Sequence, residues 1–182
     1  VLFLVEAGFR RLPVKEFWHP VIGAVGFATV GLFVPRALGV GYDEIGDVLN
    51  GRLAIGTVAV LLVGKLLAWW IALGSGTSGG TLAPLLLIGG CFGTLFGQVA
   101  HNYMPGQQPS VPAFALIAMA AVFGASTRLP FTSIVFLFEL TQDYESVLPL
   151  MGTTVVAVLV VQGLMGESLM TEKLSRRGLS VS

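Results

Sequence analysis

Charged residues are scarce in this chain of 182 residues, where Asp, Glu, Lys and Arg together make up 11% of the sequence. Soluble domains carry about a quarter of their residues as charges, so this composition excludes an ordinary soluble domain and indicates a membrane protein. The 10 basic residues balance the 10 acidic ones, and this balance gives no reason to expect a nucleic-acid partner. Cysteine is limited to Cys91, which excludes a disulfide or a zinc cluster within one chain.

The scarcity of charge becomes a complete absence over residues 66–127, a run of 62 residues without Asp, Glu, Lys or Arg. Inside this run lies a flexible polar break at residues 74–84, with the sequence GSGTSGGTLAP. Within a membrane such a break is tolerated only where it is buried in protein or lines a cavity. We therefore expect the rest of the chain to be arranged around it.

Two interpretations of this break follow from its residues. Gly79 and Gly80 allow the backbone to turn and to approach a ligand closely. Residues 81–83 open an apolar helix, and Pro84 suits its first turn. The free N–H groups and positive dipole end of such a helix form an anion site, as in transporters with broken helices. The alternative is close helix packing through small residues, which needs no ligand.

The apolar segments around the break predict an all-α, multi-pass membrane protein. Residues 17–35 and 146–166 are each about long enough to span a bilayer and contain no acidic or basic residue. Residues 84–100 continue the helix of the break and carry a stripe of glycines that favours close packing. Residues 112–123 and 129–140 are too short to span upright and, joined by a small-residue turn at 124–128, predict a buried re-entrant hairpin.

Few isolated charges lie within the apolar segments. Lys65 falls within residues 52–73, near the Trp69-Trp70 pair. An intramembrane lysine is a functional hypothesis by default, but we expect it to snorkel toward an interface marked by tryptophan. Arg128 and Glu139 flank the predicted hairpin, and we expect them to cap carbonyls or pair with a neighbour rather than to carry protons.

Metal and catalytic chemistry have little support in the sequence. Asp43, Glu44 and Asp47 follow a glycine-rich stretch and predict a solvated loop and short helix rather than a metal site. His19 and His101 lie near segment ends, so we do not expect the facing nucleophile and base that an intramembrane hydrolase would need. We expect no enzymatic activity, no catalytic residues, no metal and no cofactor.

The run SGGTLAP at residues 78–84 resembles the G-x-F-x-P filter motif of the CLC family of chloride channels and proton–chloride exchangers. In that family the motif opens a half-helix whose backbone amides face the central chloride. The resemblance implies that Gly80, Thr81 and Leu82 bind the transported anion. Leu82 stands where phenylalanine is usual, a departure that keeps the backbone donors but bears on the width or selectivity of the site.

Two further motifs occur in the same order as in the family. The sequences ASTRLPFT at 125–132 and FELT at 138–141 resemble the family segment A-S-x-R-x-P-L-T…E-M-T. Residues 166–174, GESLMTEKL, resemble G-x-S-I-Y-x-x-K-L, in which the tyrosine hydroxyl touches the central anion. Met170 holds the tyrosine position here, so we expect Met170 to line a weaker anion site that lacks the hydroxyl donor.

The resemblance covers residues 12–178 and implies that residues 1–182 form a single transmembrane domain, the second half of a CLC membrane domain. That half is one of two inverted repeats with broken and re-entrant helices. We expect the gating glutamate, a chloride-contacting serine and the proton-route glutamate to belong to the first half. The cytoplasmic CBS domains that often follow in the family are not expected within this chain.

For function, the resemblance implies chloride transport across a lipid bilayer as part of a channel or a proton-coupled exchanger, in a homodimer when the protein is intact. Basic residues cluster at both ends, and the positive-inside rule would place both ends in the cytoplasm. The resemblance instead places the start outside and the final helix and C-terminus inside, and we follow it. The alternative function is a non-transporting structural membrane subunit.

Overall fold

The computed structural model of the chain describes residues 2–11, 13–77, 79–103 and 110–164, and these residues form helices joined by short connections, without a strand. Short 3-10 turns lie within two of the connections, at Glu16–Trp18 and Pro35–Ala37. The α-helices in chain order are α1 (Leu2–Arg10), α2 (His19–Phe33), α3 (Tyr42–Leu49), α4 (Ile55–Gly74), α5 (Leu82–Tyr103), α6 (Val111–Thr127), α7 (Pro130–Thr141) and α8 (Val147–Leu164). The all-α prediction is confirmed.

Three of these helices are long and apolar enough to cross a membrane, namely α4, α5 and α8, with 20, 22 and 18 residues. The α2 helix, in the segment 17–35, has only 15 residues. At about 1.5 Å per residue it is roughly 22 Å long, short of a hydrocarbon core of about 30 Å. It ends at Phe33 because Pro35 disfavours the helical conformation for Val34, which has φ −132° and ψ 74°.

The glycine stripe of α5 lies against α6, as the sequence predicts. A Cβ atom at Gly89 would lie 2.9 Å from the carbonyl oxygen of Ala118, and one at Gly97 would lie 2.9 Å from the Cβ atom of Phe114. The backbones of the two helices therefore approach more closely than larger residues would permit. Around this contact lies a core of fully buried side chains that includes Leu86, Leu87, Cys91, Met119 and Ala120.

The α2 helix packs in a similar way on the end of α4. A Cβ atom at Gly23 would lie 2.3 Å from the Cβ atom of Ser75, directly after α4. On the other side, a Cβ atom at Gly74 would lie 2.7 Å from a methyl group of Val5 in α1. The C-terminal end of α4 is therefore held between α1 and α2, next to the polar break.

The α6 and α7 helices form the predicted hairpin, but its turn lies later in the chain than expected. The α6 helix has 17 residues and continues through residues 124–127, where the Thr127 hydroxyl donates to the Phe123 carbonyl at 2.8 Å. The turn is instead made by Arg128, with φ 59°, and by Leu129. Pro130 explains this position, because a residue before proline is disfavoured in the helical conformation.

The first and last helices of the described residues are α1 and α8. The α1 helix runs on from the first apolar residues to Arg10, which pairs with Glu6 one turn earlier. The predicted span at 146–166 is confirmed as α8. The predicted final helix at 166–174, with Met170, lies outside the described residues.

Candidate anion site

The polar break begins with a tight turn at the end of α4. The amide of Ser75 donates to the Ile71 carbonyl at 3.0 Å, and that of Gly76 donates to the Leu73 carbonyl at 3.2 Å. Gly76 has φ 88°, so the left-handed glycine of the break is Gly76, whereas Gly79 and Gly80 are not in that region. The turn geometry expected of Gly79 and Gly80 is therefore found at Gly76 instead.

Hydroxyl groups cap the carbonyl end of α4. Ser75 Oγ donates to the Ala72 carbonyl oxygen at 2.8 Å, and Thr77 Oγ1 donates to the same oxygen. The two hydroxyl oxygens lie 3.2 Å apart. These side chains satisfy the Ala72 carbonyl, one of the terminal carbonyls of α4. Their hydroxyl protons are therefore used within the turn, and the backbone amides that follow the turn stay available to a ligand.

Those amides lie at the start of α5. The first bond of this helix runs from the Leu85 amide to the Thr81 carbonyl at 3.1 Å. The amides of Leu82 and Ala83 therefore precede the helical ladder, and Pro84, in the first turn as predicted, has no N–H to satisfy. No acidic residue occupies this turn, so the positive end of the helix dipole is not neutralised locally.

A cavity of about 210 Å³ lies beside this helix start. Gly80, one of the predicted site residues, lines it, while Thr81 and Leu82 follow directly in the chain. The cavity brings together α2, the loop after it, α4 and the polar break, and its lining residues are Phe27, Ala37, Gly39, Lys65, Ala68, Trp69, Ala72, Leu73, Thr77, Gly79, Gly80 and Pro84. None of these described residues is acidic.

Lys65 is buried in the wall of this cavity, with 4% of its surface exposed. Its ammonium donates to the carbonyl oxygens of Ala37 at 3.2 Å and Gly39 at 2.9 Å. The prediction that Lys65 snorkels to an interface is therefore wrong, because the loop after α2 brings two carbonyls to the charge. The helical period contained a signal: Lys65 shares one face of α4 with Ala68 and Ala72, which also line the cavity.

Trp69 lies one turn after Lys65 and lines the same cavity. Its indole Nε1 is buried and has no hydrogen-bond partner within the described part of the chain. An indole nitrogen can only donate, and leaving such a donor unsatisfied costs about 1–3 kcal/mol. An acceptor in the cavity, such as an anion, would suit this donor.

The two interpretations of the break can now be compared. Among the described residues, a Cβ atom at Gly79 or Gly80 would meet no atom within 4 Å, unlike the glycines of the α5 stripe. Close helix packing therefore accounts for the stripe but not for Gly79 and Gly80. A helix start beside an open cavity, with a buried ammonium and an unpaired donor in its wall, is suited to hold an anion.

The acidic residues of α3 are not among the residues that line this cavity. Asp43 and Glu44 occupy the first turn of α3, and Asp47 lies 3.9 Å from the Arg52 guanidinium in an exposed ion pair. This agrees with the predicted short helix. Over the described ranges, no group of three or more His, Cys, Asp or Glu side chains lies together in a way that could hold a metal ion.

Comparison with known proteins identifies relatives. The family model described as voltage gated chloride channel matches residues 1–162. The H(+)/Cl(-) exchange transporter ClcA of Vibrio campbellii is 36% identical over 156 residues, which are 86% of this chain and 33% of the relative. The protein of that name from Salmonella paratyphi A is 33% identical over 161 residues, 87% of this chain and 34% of the relative. This chain thus spans about a third of these relatives.

A solved structure agrees with the sequence relatives. The crystal structure of a slow cyanobacterial Cl-/H+ antiporter superposes with a TM-score of 0.81 and 29% sequence identity. The match covers 97% of this chain and 42% of the antiporter chain. The helical arrangement described above is therefore similar to a part of that antiporter.

Proposed function

We propose that this chain, which belongs to the voltage-gated chloride channel family, supplies one wall of a chloride pathway through a lipid bilayer. The observation that carries the proposal is the start of α5, which opens beside a cavity lined by Gly80 and Lys65 and by no acidic residue among those described. The amides of residues 80–82 bind the anion, with Met170 as a further lining residue.

The chemistry of this site allows an anion both to bind and to leave, as transport requires. A helix start carries about half a unit of positive charge spread over several amides, which is enough to replace part of the hydration of chloride. Passage also requires that the anion can leave, and backbone dipoles hold an ion less tightly than a contacting cationic side chain does. The open space at Gly79 and Gly80 gives the anion access to the backbone.

The remainder of the pathway belongs to the larger protein. Since the relatives are about three times as long as the matched region, this chain forms the second of two inverted repeats, and the first repeat supplies the opposite wall. The intact protein is a homodimer with the final helix and C-terminus in the cytoplasm. The names of the relatives favour exchange of chloride for protons over a passive channel.

Reconstitution of the intact protein into liposomes tests this proposal. Chloride-loaded vesicles containing the protein should release chloride with saturable kinetics, and a change in external pH during release would indicate proton coupling. Empty vesicles provide the background. If release does not exceed that background and calorimetry detects no chloride binding, the protein is a structural membrane subunit instead.

A further inference from the structure

We propose that the positive charge of Lys65 strengthens chloride binding at the anion site through space, from the wall of the cavity. The loop after α2 holds the ammonium in that wall. The inference rests on the proposed function, because it assigns a role in anion binding at the same cavity. Lys65 lies just outside the uncharged run 66–127, so its sequence position alone does not place it beside the start of α5.

The loop after α2 holds the Lys65 ammonium through backbone carbonyls. Two of its three N–H groups donate to the carbonyls of Ala37 and Gly39. Gly41, with φ 93°, approaches so closely that a Cβ atom there would lie 3.4 Å from Lys65 Nζ and 3.2 Å from a methyl group of Leu87 in α5. The loop thus links the ammonium of α4 to the helix that carries the anion site.

The charge of Lys65 is not cancelled by a contacting carboxylate in the described part of the chain. Among the described residues, no carboxylate forms an ion pair with Lys65. Glu44 of α3 acts on Lys65 only through space. Two carbonyl dipoles stabilise an ammonium without neutralising it, so a net positive charge remains in the wall of a cavity whose described lining residues include no carboxylate.

Lys65 and Gly80 line the same cavity, so the Lys65 charge acts on an anion there over a short distance. A cavity of about 210 Å³ is so small that a charge in its wall acts within about one Debye length (~8 Å at physiological salt) of an anion inside it. At an effective dielectric constant of about 20, one unit charge at that range changes an affinity roughly tenfold or more. Because the carbonyls hold the ammonium in the wall, it attracts the anion without forming the contact that would trap it.

The test uses the intact protein in detergent, with chloride affinity from calorimetry and the melting temperature in chloride-free buffer. Lys65→Met removes the charge at similar length and should weaken chloride binding about tenfold, whereas Lys65→Arg should restore most of the affinity. Arg52→Gln is the matched control, since Arg52 is exposed and does not line the cavity, and it should bind like the wild type.

Glu44→Gln separates an electrostatic role from a structural one. It leaves the bonds from Lys65 to Ala37 and Gly39 in place but removes an opposing charge, so it should tighten chloride binding, which a merely structural lysine would not predict. This variant and Lys65→Arg also keep the test decisive if Lys65→Met does not fold.

Three results would overturn the inference: unchanged affinity in a folded Lys65→Met protein, affinity in Lys65→Arg as weak as in Lys65→Met, or no tightening in Glu44→Gln. If the wild type binds chloride and these variants bind equally well, only the role of Lys65 fails. If the wild type itself binds no chloride, the proposed function fails as well.

Discussion

A Cβ atom at Gly93 in α5 would lie 2.3 Å from the carbonyl oxygen of Phe114 in α6. Two helices can approach this closely only where one of them lacks a side chain, so the contact fixes the rotation of α5 relative to α6. The same helix carries the proposed anion site at its N-terminal end. The glycine stripe and the polar break therefore act together, since the stripe holds the helix whose first amides face the cavity.

Gly93→Val should destabilise the protein, by about 1–3 kcal/mol or more, because the added methyl groups would force α5 away from α6. Gly152→Val is the matched control, since a Cβ atom at Gly152 in α8 would meet no atom within 4 Å, and we expect a small effect there. Reversible unfolding of both variants in detergent measures the difference. Equal stability of the two variants would contradict this account of the stripe.

Gly76→Ala tests the turn between α4 and the break. At φ 88° an alanine would cost about 1–2 kcal/mol for conformational reasons, since its Cβ atom would meet no atom of the described residues within 4 Å. Gly79→Ala, equally open but without a positive φ, should be nearly neutral. Unfolding free energies of the two variants decide the matter, and an equal loss in both would show that Gly76 has no special conformational role.

The sequence predicted the elements whose signals are local. Glycines spaced one turn apart predicted the close face of α5, and the structure places that face against α6. Pro84 predicted the first turn of a helix, and α5 begins at Leu82. In both cases neighbouring residues contain the whole physical cause, which is the absence of a side chain in one and the missing N–H of proline in the other.

Features that depend on distant residues were harder to predict. The hairpin turn was expected at the small residues 124–128, yet Pro130 sets it at Arg128 and Leu129. Lys65 was expected to reach an interface, because its sequence neighbours include tryptophans. Its partners are the carbonyls of Ala37 and Gly39, 28 and 26 residues earlier, and no local pattern identifies them.

Met170→Tyr tests the one site residue that lies outside the described part of the chain. If the position corresponds to the family tyrosine, a hydroxyl there adds one donor to the anion and should tighten chloride binding about tenfold or more, since a hydrogen bond to a charged group contributes about 1.5–3 kcal/mol. Met151→Tyr, on the exposed side of α8, is the control for adding a tyrosine. Calorimetry on the intact protein gives both affinities, and weaker or unchanged binding in Met170→Tyr would count against the assignment.

Leu82→Ala and Gly80→Val distinguish backbone amides from side chains as the groups that bind the anion. Leu82→Ala keeps every amide in place, so most of the chloride affinity should remain, although Leu82 packs against the core and some stability should be lost. Gly80→Val should reduce chloride binding severely. Because a Cβ atom at Gly80 would meet no atom of the described residues within 4 Å, we expect the valine to occupy the space of the anion rather than to disturb the packing of these residues.

Protein stability serves as the control, because we expect Gly80→Val to affect chloride binding and not the fold. Gly80→Val should keep the melting temperature of the wild type in chloride-free buffer while losing both chloride affinity and flux. Gly56→Val, equally open in the first turn of α4, does not line the cavity and should retain both. If Leu82→Ala abolishes chloride binding while Gly80→Val is tolerated, side chains and not amides form the site. In that case the width set by Leu82, rather than the charge of the helix start, would determine which anion enters.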